Sequence, residues 1–149
     1  MDYQIIEELF KIILTITLSS CIGLERELRQ KGAGLRTHIL VGVGSALLTL
    51  TSGFVYQKYS SQTVMDPTRL ITGIVTGIGF LCAGTIIRSG DSVRGLTTAA
   101  TLWIVSGVGI AVGCGHYSGA LLVTFTVIAV LIGVRYLEHI INNLVKNKS

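Results

Sequence analysis

Charge is what this sequence has least of. Asp, Glu, Lys and Arg make up 13% of its 149 residues, about half the ~25% usual in a soluble domain, so a water-facing shell around a single core is a poor fit. Cysteine is also scarce. Cys21, Cys82 and Cys114 are odd in number, far apart and outside any C-x-x-C pairing, which argues against a disulfide framework or a zinc cluster and for small residues packed in helices. Catalytic signatures are missing too: no H-E-x-x-H, G-x-S-x-G or Walker loop occurs, and His38, His116 and His139 fall at separate places along the chain. No enzyme activity and no cofactor are expected. The eight acids are spread along the chain, so no carboxylate cage for a hard cation stands out, although backbone carbonyls and threonine hydroxyls leave the metal question open.

What the chain does have is apolar length. Half of it is hydrophobic, the mean hydropathy is +0.67 and there are 18 glycines. Its charges gather in clusters, leaving 12–24, 37–57, 70–87 and 95–134 free of them. About 20 helical residues cross a ~30 Å hydrocarbon layer. The expected fold class is therefore all-α, an integral membrane bundle in one domain over 1–149, with five spans near 5–24, 38–56, 70–87, 97–113 and 118–134. The first span must recruit Ile5, Ile6, Leu9 and Phe10, and Glu7 can pair with Lys11 one turn on. Because Met1-Asp2-Tyr3 with Glu7 and Glu8 lacks the basic start of a cleaved signal peptide, that helix should stay.

Basic residues set the orientation. Arg26, Arg29, Lys31, Arg36, Arg88, Arg94, Arg135, Lys146 and Lys148 fall on one side of such a bundle, against Lys11, Lys58 and Arg69 on the other. This places the N-terminus outside and the C-terminus inside, and puts Tyr3, Tyr56, Tyr59 and Tyr117 near the outer interface. The net charge of +4 is then a topology signal, and no nucleic-acid partner is expected.

Small residues mark helix contacts. Gly73, Gly77 and Gly84 share a face of span 3 with Gly79 beside them, and Ala99, Ser106, Gly109 and Gly113 line span 4. Spans 3 and 4 are accordingly expected at the centre and span 5 at the periphery. Three G-x-G onsets, at Gly42, Gly77 and Gly107, read as packing glycines, or as traces of an inverted-repeat transporter. Polar groups gather at span ends: Glu25, Arg26, Arg36, Thr37, Asp91, Arg94, Thr97 and Thr98 come to the cytoplasmic face. They are either snorkelling charges and helix caps or a connected cluster that binds a ligand or partner. On the outer face, Asp66 fits an N-cap with Pro67 at the first helical position and Arg69 after it.

The runs Gly23-Leu24-Glu25-Arg26-Glu27, Gly34-Leu35-Arg36-Thr37, Gly44-Ser45-Ala46, Asp66-Pro67-Thr68-Arg69, Gly77-Ile78-Gly79-Phe80-Leu81, Ala83-Gly84-Thr85 and Arg94-Gly95-Leu96-Thr97-Thr98-Ala99-Ala100-Thr101-Leu102-Trp103 occur in this order. With Gly107–Gly113 they make the chain resemble the MgtC/SapB family of bacterial membrane proteins over most of residues 20–115. Cys82 stands where that family usually has glycine. The resemblance implies a multi-pass bacterial inner-membrane protein linked to growth under magnesium limitation and, in pathogens, to survival in macrophages. It further implies either a non-enzymatic regulator of membrane partners, the F-type ATP synthase among them, or a transporter or channel for Mg²⁺ or another small solute. Membrane lipids and a second copy, most simply a dimer, are the other partners expected. MgtC members also carry a soluble domain after the last span; none is expected in residues 1–149.

Overall fold

The computed structural model describes residues 2–61, 66 and 68–146. Its five helices are α1 (Asp2–Leu28), α2 (Leu35–Tyr59), α3 (Thr68–Gly84), α4 (Leu96–Gly113) and α5 (Tyr117–Lys146), with two short strands, β1 (Ile87–Ser89) and β2 (Ser92–Arg94), between α3 and α4. Helix lengths follow the charge-free runs, but the ends differ from the sequence expectation. α1 runs on to Leu28, and α5 continues through the expected tail to Lys146. The expected span over 70–87 stops at Gly84, because the chain enters a hairpin there.

That hairpin is absent from the sequence expectation, which had only a link between the spans over 70–87 and 97–113. Ile87 pairs with Arg94, Arg88 with Val93 and Ser89 with Ser92, around a Gly90-Asp91 loop in which Gly90 has φ +59°. Glycine at the first position of a two-residue loop is a known hairpin signal. Gly95 then reverses the chain into α4 with φ +89°, and a Cβ there would strike the Thr85 carbonyl. No other residue type fits both demands.

The Glu27 carboxylate takes over the start of α2. It accepts the Leu35 N–H at 3.0 Å, a favourable place for an anion at a helix N-terminus. At the other end of the bundle Asp66 accepts both the Thr68 N–H (2.8 Å) and the Thr68 hydroxyl (2.6 Å). It is the N-cap expected of it; Pro67 lies outside the described residues.

The expectation of central spans 3 and 4 holds for α4 alone. α4 packs against α1, α2, α3 and α5 and buries Thr98, Ala99, Thr101, Leu102, Val105, Ser106, Val108, Gly109, Val112 and Gly113. In α3 the buried residues are Ile74 and Cys82, and the second partner of α4 in the core is α2, with α1 against both. Leu18, Val108, Val112 and Ala120 form one apolar cluster and Ala33, Cys82, Ala99 and Leu102 another. The outward surface is apolar as well: Phe80 is 87% exposed and Leu40 72%. In water such a surface would be a large aggregating patch.

α2, α4 and residues Tyr117–Glu138 of α5 are each long and apolar enough to cross a membrane. α3, at 17 residues, rises about 26 Å, and the first turns of α1 carry Glu7, Glu8 and Lys11.

Candidate functional site

The interior of the bundle carries polar groups beside its two apolar clusters. On α1, Thr15, Ser19 and Arg26 are buried; on α2, His38, Ser45, Thr49 and Ser52; on α4, Thr98, Thr101 and Ser106. These side chains line the junction of α1, α2 and α4. Where the outside is hydrocarbon, turning hydroxyls and charges inward is the favourable arrangement, since each needs a hydrogen-bonding partner.

Close backbone approach makes the seam possible. A Cβ on Gly42 would meet the Ser19 hydroxyl, one on Gly109 the Gly42 carbonyl, and one on Gly113 the Thr49 side chain at 2.8 Å. On Gly23 it would lie 2.9 Å from the His38 Cβ. Across this contact Ser45 Oγ and Ser106 Oγ are 2.8 Å apart. Thr15 and Thr49 donate back to the carbonyls of Lys11 and Ser45, and Ser19 Oγ is buried without a partner among the described residues.

His38 joins α2 to α4. Its Nδ1 lies 2.8 Å from the Gly34 carbonyl, which can only accept, so Nδ1 carries the proton. In the neutral ring Nε2 is then an acceptor for the Thr101 hydroxyl at 3.1 Å. That hydroxyl also lies 2.9 Å from the Thr98 carbonyl. Its single hydrogen serves one of the two.

At the same end, Arg26 is 5% exposed and donates from Nη1 to Glu25 at 3.3 Å. Glu25 also faces Arg29 Nε at 3.6 Å. The Arg26 Nε has no partner among the described residues. Of the rest of the expected cytoplasmic cluster, Thr97 lines the same cavity as Glu25. Arg36, Asp91, Arg94 and Thr97 are exposed, Thr37 is half-buried and Thr98 buried, and among the described residues no ion pair links Arg36, Asp91 or Arg94 to Glu25 or Arg26. Asp91 sits at the hairpin tip and Arg94 on β2, clear of the bundle seam. Sequence reasoning gave no such role to His38, Ser45 and Thr101, which join α2 to α4, with Ser106 as the partner of Ser45; Cys82 joins α3 to α4 by donating to the Ala99 carbonyl at 3.2 Å.

At the opposite end a polar vestibule of about 340 Å³ opens among Gln4, Glu7, Glu8, Lys11, Thr49 and Gln57. Glu7 and Lys11 form the expected pair at 2.7 Å. Asp66 and Arg69 stand at the start of α3, where the Thr68 hydroxyl and N–H hold the Asp66 carboxyl below the usual carboxylate range. Among the described residues no three His, Cys, Asp or Glu side chains come together as a metal-holding group.

α3 presents a different kind of surface. A Cβ at Gly73, Gly77, Gly79 or Gly84 would meet nothing within 4 Å. Gly73 and Gly77 border an apolar groove of about 370 Å³ between α2 and α3. Of the small residues expected to pack, Gly109 and Gly113 therefore lie in tight contacts and those of α3 face outward.

An apolar exterior around a hydroxyl-, His- and Arg-bearing interior defines a helical membrane protein. The particular family follows from comparison: the MgtC family profile matches residues 12–140, and the chain belongs to the MgtC family. It is 40% identical over 136 residues to the protein MgtC of Salmonella typhimurium, covering 91% of this chain and 56% of that protein. It is 42% identical over 113 residues to YhiD of Escherichia coli K12, named as a candidate magnesium transporter, covering 74% of this chain and 53% of YhiD. An uncharacterized protein of Synechocystis is 42% identical over 137 residues, covering 92% of this chain and 56% of that protein. The chain thus spans about half the length of these relatives. No solved structure matches it.

Proposed function

We propose that this chain is a non-enzymatic, multi-pass protein of the bacterial inner membrane that acts through helix contacts within the bilayer. In this reading it crosses five times with its N-terminus outside, and it regulates a membrane partner when magnesium is scarce. The observation that carries the reading is the contrast between two sets of glycines. Gly42, Gly109 and Gly113 are consumed by the chain's own core, whereas Gly73, Gly77, Gly79 and Gly84 remain open, the first two of them bordering an apolar groove. Without a hydrophobic force between helices in lipid, close approach over small residues is a main source of association. A second copy of the chain or a helix of another membrane protein fits that face, the F-type ATP synthase being the partner the family resemblance implies.

Transport is the second reading, favoured by the polar vestibule, by the buried hydroxyl seam beneath it and by the name that YhiD carries. Mg²⁺ holds its octahedral water shell tightly, and at the glycine contacts of α1, α2 and α4 there is no room even for an added Cβ. The test is Mg²⁺ entry into liposomes containing the purified protein and a Mg²⁺-sensitive dye, under a potassium diffusion potential. The regulator reading expects entry no faster than in empty liposomes. Saturable, protein-dependent entry would overturn it.

A further inference from the structure

Three helices converge on a second charged cavity, of about 330 Å³, that neither function above uses. Its polar wall is Glu25, Arg29 and Lys31 from the end of α1 and the turn after it, Thr97 from the first turn of α4, and Arg135 and Glu138 from α5. Its remaining wall is apolar, made by Val130, Leu131 and Val134 of α5. This position is a boundary: the uncharged run of α5 ends at Val134, and Arg135 is the first charge after it.

The charges are not equally engaged. Glu25 is held by Arg26 and Arg29. Lys31, Arg135 and Glu138 are exposed and take part in no ion pair among the described residues. The cavity therefore presents two free cations, from separate elements, and one free carboxylate, next to an aliphatic wall at the end of an apolar span. A ligand that fits must carry an anion, a hydrogen-bond-donating cation a few ångströms from it, and a hydrocarbon portion running along the helix.

We propose that this cavity binds a phospholipid with a primary-ammonium headgroup. Lys31 and Arg135 hold its phosphodiester, Glu138 accepts from its ammonium, and an acyl chain lies along Val130, Leu131 and Val134. The Arg135 guanidinium suits two phosphate oxygens at once and Lys31 adds a point charge. A quaternary ammonium, which has no N–H to donate, is a poorer partner for Glu138. The bound lipid bridges the end of α1 to α5. The proposal rests on the chain's being a membrane protein, and on neither the regulator nor the transport reading.

Native mass spectrometry of the intact protein, released from micelles with equal amounts of phosphatidylethanolamine, phosphatidylglycerol and phosphatidylcholine, tests it. Wild-type protein is expected to retain phosphatidylethanolamine in preference to the other two. Lys31→Gln and Arg135→Gln should each lower all phospholipid retention about tenfold, and Glu138→Gln should abolish the preference for ethanolamine over glycerol. All three positions are exposed, and unchanged melting in detergent confirms that each variant is folded. Inorganic phosphate at millimolar concentration should not displace the lipid. Displacement would show a free-phosphate site without an acyl contribution and would overturn the proposal, as would equal retention of phosphatidylcholine or wild-type retention by Lys31→Gln and Arg135→Gln.

Discussion

Arg26 and Arg36 are chemically the same residue at the ends of neighbouring spans, and the fold treats them in opposite ways. Arg26 is buried beside Glu25 at 3.3 Å; Arg36 is exposed and takes part in no ion pair among the described residues. Breaking a buried pair costs about 3–5 kcal/mol, and because Glu25 is half-buried and keeps Arg29 as a partner the loss here is expected near the lower end of that range. An isolated surface charge matters by about 0.5 kcal/mol or less. Arg26→Ala should therefore lower thermal stability in detergent strongly and Arg36→Ala hardly at all. Combining Arg26→Ala with Glu25→Ala should fall short of additivity by about 0.5–3 kcal/mol. Additive losses, or an Arg36→Ala variant as unstable as Arg26→Ala, would show that the pair is not a structural contact. The sequence places both arginines at the same membrane level, because level depends on position along the chain. Which of them faces inward depends on helix rotation. For Arg26 that signal was present: Thr15, Ser19 and Arg26 recur at intervals of four and seven, one stripe of an α-helix, and the same stripe carries the buried hydroxyls. No such stripe includes Asp91 or Arg94, which stand on a hairpin. The hairpin's Ser-Gly-Asp-Ser centre is a turn signal, but its three-residue strands are too short to show a periodic pattern.

Between elements the decisive quantity is distance of approach. Four charge-free runs located the five helices, the last run holding both α4 and the start of α5, though α1 and α5 extend through charged residues beyond theirs, and the stripe Ala99, Ser106, Gly109 and Gly113 located the buried face of α4. The ranking of the helices was not legible. In a soluble protein hydrophobicity separates core from surface, but lipid is as apolar as a protein interior, so a helix rich in Gly, Ile and Leu can face either one. α3 has the composition expected of a central helix and a peripheral place. The two glycine faces consequently differ in tolerance. Gly109→Ala puts a methyl group against the Gly42 carbonyl, and overpacking of this kind costs about 1–3 kcal/mol or more. Gly77→Ala meets open space and gains up to about 1 kcal/mol in helix propensity. Melting of the purified chain in detergent should fall for Gly109→Ala and hold or rise for Gly77→Ala. If Gly77→Leu also leaves melting intact yet weakens association between copies or with a membrane partner, the outward face of α3 is the one used. Equal destabilisation at Gly77 and Gly109 would mean that α3 packs inside the chain after all.

For the whole molecule the open question is how many of the five helices cross. Three have the length and apolarity on their own; α1 and α3 need help from their surroundings. α1 has 27 residues, about 40 Å, and its Lys11 is neutralised by Glu7 at 2.7 Å, so the charge is no barrier to entry of the helix below it. α3 is shorter than the hydrocarbon layer by a few ångströms, a mismatch that local thinning or flanking residues accommodate at a fraction of a kcal/mol per ångström. Its capped start at Asp66 and the polar hairpin at its end give it a hydrophilic boundary on both sides, as a span requires. Five crossings place Ser61 opposite both the Asp91 hairpin and Asn143. If α1 and α3 both stay on the surface, the three remaining crossings place Ser61, Asp91 and Asn143 all on one side. Single cysteines at these positions, in a chain with Cys21, Cys82 and Cys114 replaced by alanine, can be labelled in intact cells with a membrane-impermeant maleimide. Labelling at Ser61 with protection of Asp91 and Asn143 is expected, since five spans would divide the twelve basic residues nine to three and the richer side is expected inside. A common response at all three sites would reduce the bundle to three spans and leave α3 lying along the bilayer surface, where its open glycines could no longer meet a transmembrane partner.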